Sequence, residues 1–276
     1  MKSIRPIKAE YYLYGDKEEN FNFKATDESN NKIMCRHIAS YAYLTSIDKA
    51  AENLFTLNNL TKIPYLNKNI YDKSLFDRKL KYIITDSNQL STAFKQLTDS
   101  NVQKTFLLTA YHAMCVELLK NKSSIDLKFY DPNHTNAVLE ITGPETKWND
   151  ITNALVSHPK GLKSYLDEVQ SITLTTTKAS PIPSPRIECL LTQQPAEALG
   201  WCVRQNDMQG AANTLAQLKN TQWAVTSQQA HFLGLTFQHL DSSLQLMLIR
   251  LISNTLTNDN NKIRVITAFN NGAYVK

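Results

Sequence analysis

The sequence has few cysteines, and none of them forms a paired motif. Cys35, Cys115, Cys189 and Cys202 are spread over 276 residues, with no CxxC spacing among them. So sparse a set excludes a disulfide scaffold. We therefore expect reduced thiols, as in a protein of a cytosol-like compartment.

The sequence also lacks any long apolar run. The longest, around Leu244 to Ile249, is far shorter than the roughly 18 residues of a membrane helix, so no membrane span is expected. The first residues, MKSIRPIKAEYYLYG, are basic but contain no apolar segment, so we expect no Sec signal peptide. Low-complexity tracts are absent, and a content of 42% hydrophobic and 9% aromatic residues predicts a globular chain.

The net charge is small and is not concentrated. Lys and Arg number 30 against 25 Asp and Glu, which gives a formal charge of +5. The basic residues are scattered rather than clustered with aromatic residues, an arrangement that gives little support for nucleic-acid binding. We therefore expect no nucleic-acid partner.

A proline-rich segment divides the chain. Residues 172–188 read ITLTTTKASPIPSPRIE, and their three alternating prolines forbid a helix and favour an extended linker. The opening ITLTTT could still close the preceding domain as an edge strand. We predict a first domain over residues 1–178, a linker over 179–190 and a second domain over 191–276.

The second domain contains two similar segments with a helical pattern. They begin at Ala198 and Phe232, which are 34 residues apart. Paired helices at a spacing in the low thirties are typical of ankyrin-like repeats, so an all-helical ankyrin-like domain is predicted. Two unrelated amphipathic helices would also share apolar spacing. The alignment pairs Leu199 with Leu233, Gly200 with Gly234, Val203 with Phe237, Asp207 with Asp241, Leu215 with Ile249 and Leu218 with Ile252, and the same shift places Ala268 at the Gly234 position.

The first domain has a mixed pattern, which predicts the α+β class. MCRHIASYAYLTSIDKAAENLF predicts one helix beginning near Met34. FLLTAYHAMCVELL and IDLKFYD predict two strands that flank NKSS as a β-hairpin. Shorter helices are predicted around WNDITNALVSH and KGLKSYLDEV.

The predicted hairpin brings a histidine and a carboxylate together. Pairing Leu118 with Ile125 places the apolar residues of the two strands opposite each other and sets His112 opposite Asp131. A slip of one residue would turn the apolar set to the other face, so the pattern constrains the register. A carboxylate in this position fixes the imidazole tautomer and stabilises the imidazolium.

Cys35 is the candidate nucleophile. It lies at the start of the first predicted helix, and a helix N-terminus favours the thiolate. His112 would activate the thiol and later protonate the leaving group, with Asp131 orienting the imidazole. A cysteine at a helix start, a histidine strand and an acidic residue on the next strand follow the papain-like order.

Each of these residues also has a structural interpretation. Cys35 could be a small buried hydrophobe, His112 a half-buried strand residue and Asp131 a turn residue of DPNHT. Zinc binding by Cys35, His37, His112 and Cys115 is disfavoured, because residues at this spacing diverge on a helix and on a strand. We expect His37 to be structural or to line the cleft, His134 to be solvated, Asn133 to cap the turn, and the Cys35 N–H with Asn30 or Asn31 to be candidate oxyanion donors.

Three blocks carry a family resemblance. MCRHIASY around Cys35, YHAM around His112 and FYDPNHT around Asp131 resemble the motifs of the Shigella enterotoxin 2 N-terminal domain, a family that includes EspL-type and OspD-type effectors. The tail, with GLTF at Gly234 and AFNNG at Ala268, is similar to the ankyrin-like repeats of that family. The resemblance implies a papain-like cysteine protease with Cys35, His112 and Asp131 as its catalytic residues and no cofactor.

The same resemblance implies a biological setting. Family members enter host cells by type III secretion and degrade host proteins that bear RIP homotypic interaction motifs, which blocks necroptotic and inflammatory signalling. Host substrates and a secretion chaperone are thus the expected partners, and the host cytoplasm the expected location. Two alternatives remain open: a deamidase or acyltransferase with the same triad, and a catalytically silent module that sequesters a host partner through its repeats.

Overall fold

The computed structural model describes residues 6–22, 24–26, 30, 32–54, 80–84, 87–109, 112–169, 172–175, 195–204, 208–219, 230, 233–234, 236–237, 240–256 and 259–271. The chain divides into two compact units, Met1–Pro185 and Arg186–Lys276. The predicted linker, residues 179–190, and with it Cys189, lies outside the described residues.

The first unit is built on a seven-stranded sheet in which every pair of neighbours is antiparallel. The spatial order of its strands is β1-β6-β5-β4-β3-β7-β2. In chain order these strands are β1 (Lys8–Leu13), β2 (Leu80–Ile84), β3 (Lys104–Leu108), β4 (Ala113–Asn121), β5 (Ser124–Tyr130), β6 (Ala137–Pro144) and β7 (Ile172–Thr175).

Helices cover both faces of this sheet. The helices in the described part of the first unit are α1 (Cys35–Leu44), α2 (Ile47–Asn53), α3 (Ser87–Asp99), α4 (Trp148–Ser157) and α5 (Lys163–Val169). Successive strand residues point to opposite faces, so Val116 belongs to a core with α3 and α4, whereas Cys115 belongs to a second core with α1 and α2. Both faces of β4 are therefore buried over most of its length. The mixed α+β class is confirmed.

The helix predicted from Met34 begins as expected but is broken into two. Met34 has an extended backbone and precedes the first helical residue, Cys35. The break falls at Thr45 and Ser46, where the Ser46 side chain accepts from the Lys49 backbone N–H at 3.2 Å and starts α2. The prediction of one continuous helix was wrong, because a serine that caps a new helix outweighs the uninterrupted apolar pattern.

The segment FLLTAYHAMCVELL forms two strands instead of one. β3 ends at Leu108, and the chain reverses through a turn in which the Thr109 N–H donates to the His112 carbonyl at 2.9 Å. His112 therefore precedes β4 instead of lying within the strand. The helices predicted around WNDITNALVSH and KGLKSYLDEV are confirmed as α4 and α5.

The predicted hairpin register was wrong by two residues. Leu118 lies opposite Leu127 instead of Ile125, because β4 and β5 continue through their polar ends to a turn of only Lys122 and Ser123. A shift of two residues keeps every side chain on its predicted face. β7 also differs from its prediction as an edge strand, since it lies between β3 and β2.

The second unit is helical in its described part. It contains α6 (Pro195–Arg204), α7 (Met208–Leu218), α8 (Ser242–Thr255) and α9 (Asp259–Asn271) around a buried core that includes Leu199, Leu233 and Ile252. The proposed 34-residue alignment fits Leu199 and Leu233, which are both fully buried. It does not fit Leu215 and Ile249, since Leu215 is buried and Ile249 is 38% exposed.

Candidate active site

Cys35 is the first residue of α1, and the chain fixes this helix start locally. The Met34 backbone N–H donates to Nδ1 of His37 at 2.9 Å, and Met34 accepts from the His37 backbone N–H at 2.9 Å. His37 is therefore a buried structural residue that closes the first turn, one of the two roles expected for it. At the other end of α1, Lys104 Nζ donates to the carbonyls of Tyr43 and Thr45 at 3.3 and 2.8 Å.

His112 is held by the turn that joins β3 to β4. Its backbone N–H donates to Thr109 Oγ1 at 2.9 Å, in addition to the backbone hydrogen bond that closes this turn. The His112 side chain is 9% exposed and the Cys35 side chain 7% exposed. The turn and the start of α1 therefore bring an imidazole and a thiol together in a nearly closed environment, where the two side chains form a hydrogen bond.

Asp131 follows β5 directly and caps the short 3-10 helix of residues 132–134. Its Oδ1 accepts from the Asn133 backbone N–H at 2.8 Å and lies 2.6 Å from His112 Nε2. The carboxylate is 4% exposed. Since Nε2 of His112 is engaged by Asp131, Nδ1 is the ring nitrogen left for the thiol of Cys35.

The pKa of the Cys35 thiol is held below its ordinary value. Burial alone would raise this pKa, but the hydrogen bond and the charge of His112 outweigh burial. The backbone N–H groups of Ala113 and Arg36 also hydrogen-bond the sulfur and favour the thiolate. The Ala113 donor belongs to β4 and could not be predicted from the sequence pattern.

The pKa of His112 is raised and that of Asp131 is lowered. Burial would lower the pKa of His112, but hydrogen bonds to Asp131 and Cys35 favour the imidazolium. Burial would raise the pKa of Asp131, but the hydrogen bond and the charge of His112 favour the carboxylate. Together these shifts favour a thiolate–imidazolium pair supported by an ionised carboxylate.

Tyr165, on α5, is a member of the site that sequence reasoning missed. Its ring is stacked on the imidazole of His112, with centroids 5.2 Å apart and planes 3° from parallel. Its hydroxyl donates to Asp131 Oδ2 at 2.6 Å and accepts from Asn133 Nδ2 at 3.0 Å. In the sequence Tyr165 is one aromatic residue of a short amphipathic helix, and nothing there indicates which element it faces.

The other residues considered in the sequence analysis lie elsewhere in the fold or have a different role from the predicted one. Cys115 is buried in the core beneath α1 and α2, and Cys202 in the core of the second unit. His134 is half-buried rather than solvated, and its Nδ1 lies 2.8 Å from Glu18 Oε1. Asp131, instead of Asn133, caps the DPNHT turn.

Three residues were candidate oxyanion donors: Asn30, Asn31 and Cys35. Asn30 is exposed and has a left-handed backbone with φ of 61°, and Asn31 lies outside the described residues. The Cys35 backbone N–H lies at the start of α1. Cys35 is therefore the only one of these residues that we place at the site.

Within the ranges that the structure describes, no three His, Cys, Asp or Glu residues are grouped so that they could hold a metal ion. His112 instead contacts Asp131, Cys35 and Tyr165.

A membrane-spanning helix was not expected from the sequence. The helices in the described part of the chain are all too short or too polar to cross a membrane.

Comparison with known families identifies the first unit. The family model described as ShET2 enterotoxin, N-terminal region, matches residues 5–149, more than half of the chain, including Cys35, His112 and Asp131. Neither a curated protein nor a solved structure matches the chain. The resemblance carried by MCRHIASY, YHAM and FYDPNHT is thus confirmed, and it indicates a secreted bacterial virulence protein. The chain belongs to the family of the ShET2 enterotoxin N-terminal region.

Proposed function

We propose that this chain is a cysteine protease of the papain-like type, with Cys35 as nucleophile, His112 as general acid and base, and Asp131 as the orienting acid. The observation that carries the proposal is the continuous chain of hydrogen bonds from the Cys35 thiol through His112 to Asp131. Its electrostatics favour the thiolate, which is the nucleophilic form of cysteine.

The first half of the reaction is acyl transfer to Cys35. The thiolate attacks the carbonyl carbon of the scissile amide, and a carbon–sulfur bond forms while the carbonyl oxygen takes up negative charge. The Cys35 backbone N–H, at the start of α1, is the donor that we assign to that oxygen. The tetrahedral intermediate collapses as the carbon–nitrogen bond breaks, and the His112 imidazolium gives its proton to the leaving amine.

The second half releases the acyl group. Neutral His112 accepts a proton from water, whose oxygen attacks the thioester carbonyl carbon. The carbon–sulfur bond then breaks, which releases a carboxylic acid and restores the thiolate–imidazolium pair. Asp131 stays ionised throughout and holds the imidazole in place through Nε2.

The proposed substrate class is the one that the family resemblance implies. We take host proteins with RIP homotypic interaction motifs as the substrates, the type III route as the means of delivery, and the host cytoplasm as the place of action. The helical second unit, as an ankyrin-like array, would bind the host partner. A deamidase or acyltransferase would share the acyl-enzyme on Cys35 and differ only in the substrate amide or the acceptor.

Co-expression in human cells tests the proposal. Wild-type protein, Cys35→Ala and Cys202→Ala are each expressed with tagged proteins that bear RIP homotypic interaction motifs, and the lysates are blotted for fragments. Cys202 is the matched control, because it is a buried cysteine of the second unit. Cleavage by wild type and Cys202→Ala but not by Cys35→Ala supports both the nucleophile and the substrate class.

Two further outcomes distinguish the proposed substrate class from the proposed thiol chemistry. Absence of fragments together with an activated Cys35 in the purified protein removes the substrate class and keeps the thiol chemistry. Absence of fragments together with a Cys35 of ordinary pKa leaves the sequestering module as the better account.

A further inference from the structure

The buried polar cluster around His112 extends beyond the three residues of the triad. His112 is contacted by Cys35 from α1, by Asp131 from the end of β5 and by Tyr165 from α5. Tyr165 is the only one of these residues that lies outside the region matched by the family model, which ends at residue 149. It contributes two separate contacts, one through its ring and one through its hydroxyl.

The ring contact orients the histidine. Parallel planes with centroids 5.2 Å apart describe an offset stack of the tyrosine on the imidazole. The stack fixes the plane of the imidazole at the hydrogen bond between His112 Nε2 and Asp131 Oδ1, which lies in a buried site. A hydrogen bond of this kind is electrostatically stronger where the local dielectric is low.

The hydroxyl contact orients the carboxylate. Asp131 Oδ1 is occupied by His112 and the Asn133 backbone, and Oδ2 accepts from Tyr165 at 2.6 Å. The phenol is in turn held by Asn133 Nδ2 at 3.0 Å, and Asn133 Oδ1 accepts from Asn22 at 3.3 Å. With a donor on each oxygen, the carboxylate cannot rotate without losing a hydrogen bond in a buried site.

We propose that Tyr165 is a positioning residue of the candidate active site: its ring fixes the plane of the His112 imidazole and its hydroxyl fixes the Asp131 carboxylate, so that the hydrogen bond between the two is kept. This inference rests on the proposed function of Cys35 and His112 and adds a fourth residue to it. Tyr165 does not touch the sulfur in this account. Its effect reaches Cys35 through the histidine.

The pH dependence of Cys35 alkylation tests this role without a protein substrate. The full chain is treated with iodoacetamide over a range of pH, and modification of the Cys35 peptide is followed by mass spectrometry. The variants are Tyr165→Phe, which keeps the ring, Tyr165→Leu, which keeps an apolar side chain without a ring, and Leu166→Ala. Leu166 is the matched control, because it packs from the same helix onto the core and has no described contact with His112.

We expect Tyr165→Leu to raise the alkylation midpoint by about one pH unit, which is about a tenfold loss of rate at a fixed pH below the midpoint. Tyr165→Phe should give a smaller rise, because the ring still covers the imidazole. Leu166→Ala should leave the midpoint unchanged while lowering the melting temperature.

Two results would overturn the role of Tyr165 alone. One is a midpoint that stays at the low wild-type value in Tyr165→Leu and Tyr165→Phe. The other is an equal shift in Leu166→Ala, which would show a loss of packing only.

A wild-type midpoint at the value of an ordinary thiol would overturn the proposed nucleophile, and the role of Tyr165 with it. Should Tyr165→Leu fail to fold by circular dichroism, the comparison of Tyr165→Phe with wild type decides the role of the hydroxyl.

Discussion

At the scale of single residues, one buried carboxylate organises the candidate site. Asp131 accepts hydrogen bonds from the Asn133 backbone and the Tyr165 hydroxyl and contacts His112 Nε2. A carboxylate with several donors keeps a low pKa in spite of burial. Its negative charge then favours the imidazolium of His112, and the imidazolium favours the thiolate of Cys35.

Substitution of Asp131 should therefore change the alkylation midpoint of Cys35, although Asp131 acts on the thiol only through His112. Asp131→Asn keeps an acceptor oxygen but removes the charge, so the alkylation midpoint of Cys35 should rise. Asp131→Ala also leaves three donors without their acceptor, namely His112 Nε2, the Tyr165 hydroxyl and the Asn133 backbone N–H. The loss costs about 1–3 kcal/mol of stability for a buried group. Asp131→Ala should raise the midpoint further and lower the free energy of unfolding.

The control for this pair is Asp126→Asn, on the same strand β5 but hydrogen-bonded to Asn121 at the exposed end of the hairpin. Alkylation profiles and urea unfolding are measured on all three variants. A midpoint that is the same in Asp131→Ala as in Asp126→Asn would show that the carboxylate does not act on the thiol.

At the scale of elements, the position of α5 depends on its connection to α4. Gly161 lies in this connection, where its N–H donates to the His158 carbonyl at 2.8 Å and Leu162 donates to the Leu155 carbonyl at 3.1 Å. A Cβ at position 161 would collide with the Leu155 carbonyl oxygen. Since the obstacle is backbone, an added methyl must displace the start of the helix that carries Tyr165.

Gly161→Ala should destabilise the protein by about 1–3 kcal/mol and also raise the alkylation midpoint of Cys35. Gly143→Ala is the comparison, because a Cβ at position 143 meets the side chains of Ile7 and Ile151 instead of the backbone of the connection that leads to α5. It should lower stability with no change in the midpoint. Thermal unfolding and alkylation profiles check both, and an unchanged midpoint in a folded but destabilised Gly161→Ala would contradict the dependence on α5.

The element scale also explains which parts of the site could be predicted from the sequence. The alternating apolar pattern of β4 and β5 identified the correct faces, so His112 and Asp131 were predicted as neighbours although the register was wrong by two residues. The register depends on a turn in which Lys122 adopts a left-handed φ of 51°, a conformation that its residue type does not indicate.

The contacts that Tyr165 and the Ala113 backbone make in the site could not be predicted from the sequence around these residues. Whether Tyr165 faces His112 is decided by the packing of α5 against the rest of the unit, and its sequence spacing carries no information on that. The backbone donor of Ala113 depends on the end of β3, where a reversal through Thr109 replaced the single predicted strand. The start of α1 was predicted correctly, because MCRHIASY has few helix breakers and begins an amphipathic pattern.

At the scale of the whole molecule, the candidate site belongs to one unit. Cys35, His112, Asp131, Asn133 and Tyr165 all lie within Met1–Pro185. The second unit, Arg186–Lys276, has a hydrophobic core of its own around residues such as Leu199 and Ile252. The candidate site and the second unit are therefore built on separate hydrophobic cores.

A chain that ends at Pro185 should therefore keep the activated thiol. We expect the same Cys35 alkylation midpoint in residues 1–185 as in the full chain, and loss of partner binding where the helical unit supplies it. Alkylation profiles of the two proteins, with circular dichroism as the test of folding, provide the comparison. A folded 1–185 fragment whose Cys35 has the pKa of an ordinary thiol would show that the second unit is needed to assemble the site.

The most direct test of the central claim is the alkylation profile of Cys35 in the wild-type protein and in His112→Ala, measured against glutathione. Because the pKa of Cys35 is lowered chiefly by His112, the rate should rise with pH through a midpoint well below that of glutathione and then stay level. In His112→Ala the midpoint should move up to or above the ordinary thiol value, since only burial and the backbone donors remain. The midpoint is the quantity to compare, because a side chain only 7% exposed reacts slowly in any state. A wild-type midpoint equal to that of glutathione, or one that does not change in His112→Ala, would contradict the account of Cys35 as an activated nucleophile.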